Sequence, residues 1–218
     1  MIKSMTGFVT KRVFFPGLGE VTTNIRSLNF KYLDIHFSRI PLGLEELERL
    51  FYEEILKKIN RGRLDIFIGI NPELVERPSK KTFLKIKNVF TKALEELIEF
   101  KKIQGSALKQ KLKSLTDRLD RRSEFFKRYS KKINLEKQDS SKDIFEETSL
   151  ISFYLKHLIK ILDKEQDELG KILDFLAQEL LRETNTILAK VKDRQFSLEA
   201  VYFKEEIDRL RELAQNIE

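Results

Sequence analysis

The order of local signals predicts an α+β protein: an N-terminal antiparallel β-rich unit with a packed helix, followed by a mostly α-helical, extended half. Two observations predict it. Runs of β-branched and aromatic residues with period-two alternation, bounded by Gly and Pro, fill most of the first third of the chain. After Pro78 the apolar residues recur instead at three- and four-residue intervals. The length, 218 residues, allows one large domain or two small ones with a real core.

Residues 2–14 (IKSMTGFVTKRVF) have strand composition, and Pro16, Gly17 and Gly19 mark a turn after them. Val21–Phe37 alternates in two stretches, Val21, Thr23, Ile25 and then Leu33, Ile35, Phe37, with a bulge or bend near Ser27–Lys31. A helix is predicted from about Gly43 to Asn60, with Leu44, Leu47, Phe51, Ile55 and Ile59 on one face, acids at its start and lysines at its end. Gly62 breaks the chain, and Arg63–Ile70 alternates as a strand. Beyond Pro78 the spacing predicts helices over Lys81–Lys102, Ala107–Ile133, Ile144–Leu169, Lys171–Lys190 and Leu198–Ile217. Breaks are expected at Gly105, at a polar loop from Asn134, at Gly170 and at a turn over Lys192–Ser197. The resulting division is an N-terminal α+β domain (1–75), a basic helical arm and loop (76–140) and a C-terminal helical domain (141–218).

The chain has no cysteine, which excludes disulfides, thiolate metal sites and cysteine nucleophiles. MIKSMTGF is too polar for a secretory leader, and no apolar run approaches a membrane span, so a cytoplasmic location away from membranes is expected. Basic residues number 42 against 35 acidic, a net of +7. Lys101–Ser140 alone holds 13 Lys/Arg and 5 Asp/Glu, 13 − 5 = +8, either a solvated helical face or a surface for a polyanion. His36 and His157 are the only histidines, and their neighbours place both at the surface. Phosphate loops, zinc spacings and serine elbows are missing.

Carboxylates remain. Glu179 and Glu183 stand one helical turn apart at the margin of an apolar stripe, where two like charges repel. Asp174, Gln178 and Asn185 form a second polar strip, with Arg182 between the two. KDIFEETS adds Asp143, Glu146 and Glu147, where Asp143 also suits a helix cap. Oxygen ligands suit Mg²⁺ or Mn²⁺, and such an ion can activate water and neutralise a scissile phosphate.

SMTGF, IRSLNFKYLDI, DIFEE, LDFLAQELLRETNT and the final KEEIDRLRELAQNIE occur in that order and resemble the bacterial YicC/YloC family over roughly residues 1–75 and 140–218. The resemblance implies an endoribonuclease that needs a divalent metal, Mn²⁺ or Mg²⁺, and a ring-like homo-oligomer, expected to be a hexamer. It also implies a role in small-RNA or mRNA turnover. On the matched positions, Glu146, Glu147, Glu179, Glu183 and Glu206 are the expected metal carboxylates, and Glu179, Glu183, Arg182 and Arg211 the expected catalytic groups. Arg26, Asn29, Lys190 and Lys204, with Arg121 and Arg122 of the basic stretch, are the expected RNA contacts. The chain departs from the family pattern at Phe30, which replaces a histidine, at Leu150, Phe153 and Tyr154, which replace an arginine and a serine–histidine pair, and at Leu188-Ala189. Two alternatives stay open: an RNA-binding or adaptor protein with little cleavage, and a structural helical oligomer in which Glu183 pairs with Arg182 or Arg211 across subunits.

Overall fold

The computed structural model describes residues 2–41, 44–71, 79–135, 143–164 and 169–217, with side chains as far as Lys132 in the third span. Gly43, most of the polar loop from Asn134, and Glu218 lie outside the described residues. The elements are β1 (Gly7–Phe15), β2 (Gly19–Leu28), β3 (Leu33–Arg39), α1 (Glu45–Leu56), β4 (Gly62–Asn71), α2 (Lys80–Leu135), α3 (Phe145–Leu162), α4 (Leu169–Lys190) and α5 (Arg194–Ala214). Two compact units divide them, Met1–Ser106 and Ala107–Ile217, and the stretch 76–140 crosses that division.

In the first unit the strands form one sheet in the order β1-β2-β4-β3. β1, β2 and β4 are antiparallel, as expected, but β3 runs parallel to β4, so the sheet is mixed. The reason is the connection: α1 lies between β3 and β4 in sequence, and a helical crossover returns the chain in the same direction. Gly62 opens β4 at φ +111°, a conformation that favours glycine, and a Cβ there would meet the Leu28 carbonyl at 3.0 Å.

One face of the sheet is covered. Val21, Ile25, Leu64, Ile66, Ile68 and Ile70 pack with Leu47, Phe51 and Ile55 of α1 and with Ile86, Phe90, Leu94 and Leu97 of α2. Phe51 and Phe90 stack at 3.9 Å. Each such buried side chain contributes about 1.5–3 kcal/mol, which is why the first turns of α2 belong with the sheet.

α2 runs unbroken through Gly105. A Cβ at that position would lie 2.0 Å from the Ile2 carbonyl oxygen, so the glycine is a contact point and not a break. The segment that lies there is tied to the helix, because the Ser4 amide donates to the Lys101 carbonyl at 2.9 Å. Gly170 is equally inside α4, where a Cβ would meet the Ala214 carbonyl oxygen at 2.7 Å.

The second unit is helical. Phe126 of α2 packs on Phe196 and Phe203 of α5 at 5.2 and 5.1 Å. α5 begins four residues before the predicted start, because Asp193 caps it and accepts from the Phe196 amide at 2.7 Å. Among the described residues no helix is long and apolar enough to cross a membrane.

Candidate active site

α3 and α4 pack together, and their shared face collects the acidic residues. Asp143, one residue before the N-cap Ile144 of α3, accepts from the Phe145 amide at 2.9 Å. Glu146 and Glu147 occupy the first turn, where the helix dipole favours anions. Their side chains diverge: Glu146 is exposed, while Glu147 is only 5% exposed.

A buried carboxylate needs a partner. Lys190, at the end of α4, supplies it: its Nζ lies 2.6 Å from Glu147 Oε1 and also donates to the Asp143 carbonyl at 3.0 Å. The other oxygen, Glu147 Oε2, is buried and accepts no hydrogen bond among the described residues.

Glu183 lies beside this pair. Burial raises its carboxyl above the usual range, and the charges of Glu147, Glu179 and Glu146 push the same way, with Arg182 opposing them. Tyr154 of α3 also faces the group. Burial holds its phenol above the usual tyrosine range, and the charges of Glu179 and Glu183 add to that. Arg182 reaches to 3.9 Å from Glu179 but is 75% exposed, so its guanidinium is available to solvent.

The structure thus brings together Glu146, Glu147, Glu179, Glu183, Arg182 and Lys190. It engages the other expected members elsewhere. Glu206 of α5 is buried against two arginines of α2: Arg118 Nε donates to its Oε1 at 3.3 Å, and Arg122 Nε lies 3.3 Å from its Oε2. Because Oε2 makes no hydrogen bond, the contact with Arg122 is an ion pair alone. Arg122 also pairs with Glu199 at 2.8 Å and lies over the Tyr202 ring. Arg211 donates to Asp174 at 3.1 Å, tying α5 to α4. Arg121 is exposed and its Nε donates to the Asp117 carbonyl, and Lys204 is half-buried. Arg26 and Asn29 are exposed on the first unit. His36 and His157 are exposed, as their neighbours imply.

Tyr154, a departure from the family pattern, joins this group as well. Its signal was available, since Glu147, Ile151 and Tyr154 follow one another at helical spacing.

Among the described residues no three His, Cys, Asp or Glu side chains lie close enough to hold a metal ion by themselves. The donor set still fits a hard cation. Mg²⁺ commonly uses one or two protein carboxylates and fills its remaining positions with water and substrate phosphate. The orphaned Glu147 Oε2 and the charge-crowded Glu183 would both be relieved by a cation.

Comparison with known proteins adds family context. The model of the C-terminal domain of "Endoribonuclease YicC-like" proteins matches residues 128–218, and that of their N-terminal region matches residues 2–83. The chain is 23% identical over 290 aligned positions to the "Probable endoribonuclease YicC" of Haemophilus influenzae, with all of both chains covered. It is 26% identical over 234 to the protein of the same name from Clostridioides difficile, covering 85% of this chain and 79% of that one.

Proposed function

The chain belongs to the YicC-like endoribonuclease family, and from that premise we propose that it cuts RNA internally at the α3–α4 face. The observation that carries this is the meeting of Glu147, Glu179 and Glu183, all inside the C-terminal match, with one carboxylate oxygen buried and unpartnered.

Glu147 and Glu183 would hold a divalent cation, Mn²⁺ or Mg²⁺, with Glu179 and Glu146 adding negative charge nearby. When bound, such an ion neutralises charge on the scissile phosphate and lowers the pKa of bound water. The protein groups have separate tasks. Lys190, fixed by Glu147 and the Asp143 carbonyl, holds a positive charge where a phosphate would approach. Arg182, exposed beside Glu179, can take phosphate oxygens in a bidentate contact. Tyr154 keeps its proton beside Glu179 and Glu183.

The test is cleavage of an end-labelled structured RNA with EDTA, Mg²⁺ or Mn²⁺, with the Glu179→Ala/Glu183→Ala variant as control. Internal cuts that need metal, and that fall roughly 10²-fold or more in the folded variant, are expected. Undiminished cutting by that variant would move the site elsewhere. We further propose a homo-oligomer, expected as a hexamer from the family resemblance and checked by light scattering, and a role in small-RNA or mRNA turnover.

One observation favours a second reading, an RNA-binding or adaptor protein with little cleavage. Tyr154 stands where the family pattern has a histidine, and a phenol kept protonated cannot do imidazole acid–base work. RNA retained but uncut under every metal condition would establish it.

A further inference from the structure

Among the described residues of the first unit, no helix lies on the second face of the sheet. Both α1 and the first turns of α2 cover the side that carries Val21, Ile25 and Ile66, and the opposite residues of all four strands are exposed or half-buried. Strand register arranges these outward residues in rows. Phe8, Arg26, Asp65 and His36 form one row across β1, β2, β4 and β3, and Thr10, Asn24 and Phe67 form the next. Phe8 is 58% exposed and Phe14, farther along β1, is 70% exposed. The Phe67 ring lies down along its own strand, its edge 3.0 Å from where a Cβ of Gly69 would stand, so this glycine leaves room for a ring laid against the sheet.

Exposed aromatic rings in water are unfavourable unless something covers them, and the charges beside them indicate what. Asp65 and Asp34 of this face are already engaged, since Arg63 Nε lies 3.0 Å from Asp65 and 3.9 Å from Asp34, and Glu20, opposite Phe14 in the register, accepts from Thr22 Oγ1 at 3.4 Å. Arg12 and Arg26 point outward on the same face and form no ion pair among the described residues. Rings interleaved with uncommitted guanidinium groups match a strand that offers flat, unpaired bases and a phosphate backbone. They do not match a duplex, whose base faces are already stacked.

Resting on RNA as the substrate proposed above, we infer that this open sheet face binds single-stranded RNA. Bases stack on Phe8 and Phe14, and phosphates meet Arg12 and Arg26, while the Phe67 ring is already covered by the Arg39 guanidinium at 5.9 Å. The face would then hold an unpaired segment of the substrate, which restricts the RNAs accepted to those with such a segment.

The chain contains no tryptophan, so Phe8→Trp introduces a single indole reporter on this face. Oligouridine and an RNA duplex of equal length are titrated into the full-length variant with EDTA present. Leu84→Trp, at an exposed position on α2, serves as control. Quenching of the Phe8→Trp variant by oligouridine but not by duplex, with Leu84→Trp unaffected, is expected. Phe8→Ala/Phe14→Ala should weaken oligouridine binding roughly tenfold or more.

An unquenched indole in a Phe8→Trp protein that still binds oligouridine would overturn the inference and leave the RNA reading intact. Indole emission from that variant that changes with protein concentration alone would show a second copy on this face, and would overturn it as well. Failure of the wild type to bind or cleave any RNA would remove both.

Discussion

Glu183 carries its charge against its surroundings. Its folded-state carboxyl is raised, so between the ordinary carboxylate range and that raised value the folded state holds more proton than the unfolded chain. Stability from this group is therefore full at low pH and is lost as pH rises through the raised value. Glu183→Gln should melt higher than the wild type near pH 7, and the difference should close as pH falls toward 4; calorimetric scans across that range check it. The buried pair beside it makes the opposite prediction. Lys190→Met leaves Glu147 buried and alone, and should cost roughly 2–3 kcal/mol in urea unfolding, below the fully buried case because Lys190 is a third exposed. Adding Glu147→Gln should recover most of that loss. The proximity of Glu179 and Glu183 was legible in sequence, because one helical turn separates them. The bond from Lys190 to Glu147 was not legible, since it depends on how α4 lies against α3, which no local pattern records.

Helices α2 and α4 show where pattern reading fails at the scale of elements. A glycine inside a helical run has two meanings, a break or a place where another backbone comes close. Gly105 and Gly170 have the second meaning, and only tertiary contact separates the two. Alanine is the better helix former by about 1 kcal/mol, so an open site would gain from the change. Here Gly105→Ala should instead lower the melting temperature and speed exchange of the Ser4 amide, which donates to Lys101, while Gln104→Ala on the exposed side should be near neutral. Strand existence and the covered face of the sheet were readable from alternation alone. The parallel pairing of β3 was not, because alternation is the same in either direction. Asp193 as a cap was present in the sequence as an Asp before a helical run, but the residues after it, Arg194 and Gln195, are both exposed and gave no apolar period to extend.

At the scale of the whole molecule, a net charge of +7 and the basic run in α2 predict salt-sensitive RNA binding. The count of lysines and arginines overstates the slope, since Arg118 and Arg122 are committed to Glu206 and Glu199. The two neighbouring arginines should separate cleanly. Arg121→Ala should reduce the slope of log affinity against log salt by about 0.7–0.9 with stability unchanged. Arg122→Ala should lower the melting temperature, because it strips a buried carboxylate of a partner. The two family matches leave residues 84–127 between them, and every one of those lies in α2, the helix that passes from one compact unit into the other. The uncovered side of the sheet has a separate consequence. In β1 and β2 alternate residues answer to different demands: inward ones to packing volume, outward ones only to whatever meets them from solvent. Natural variation can therefore rewrite the outward set, and with it what is recognised, while the inward set and the strand register hold still.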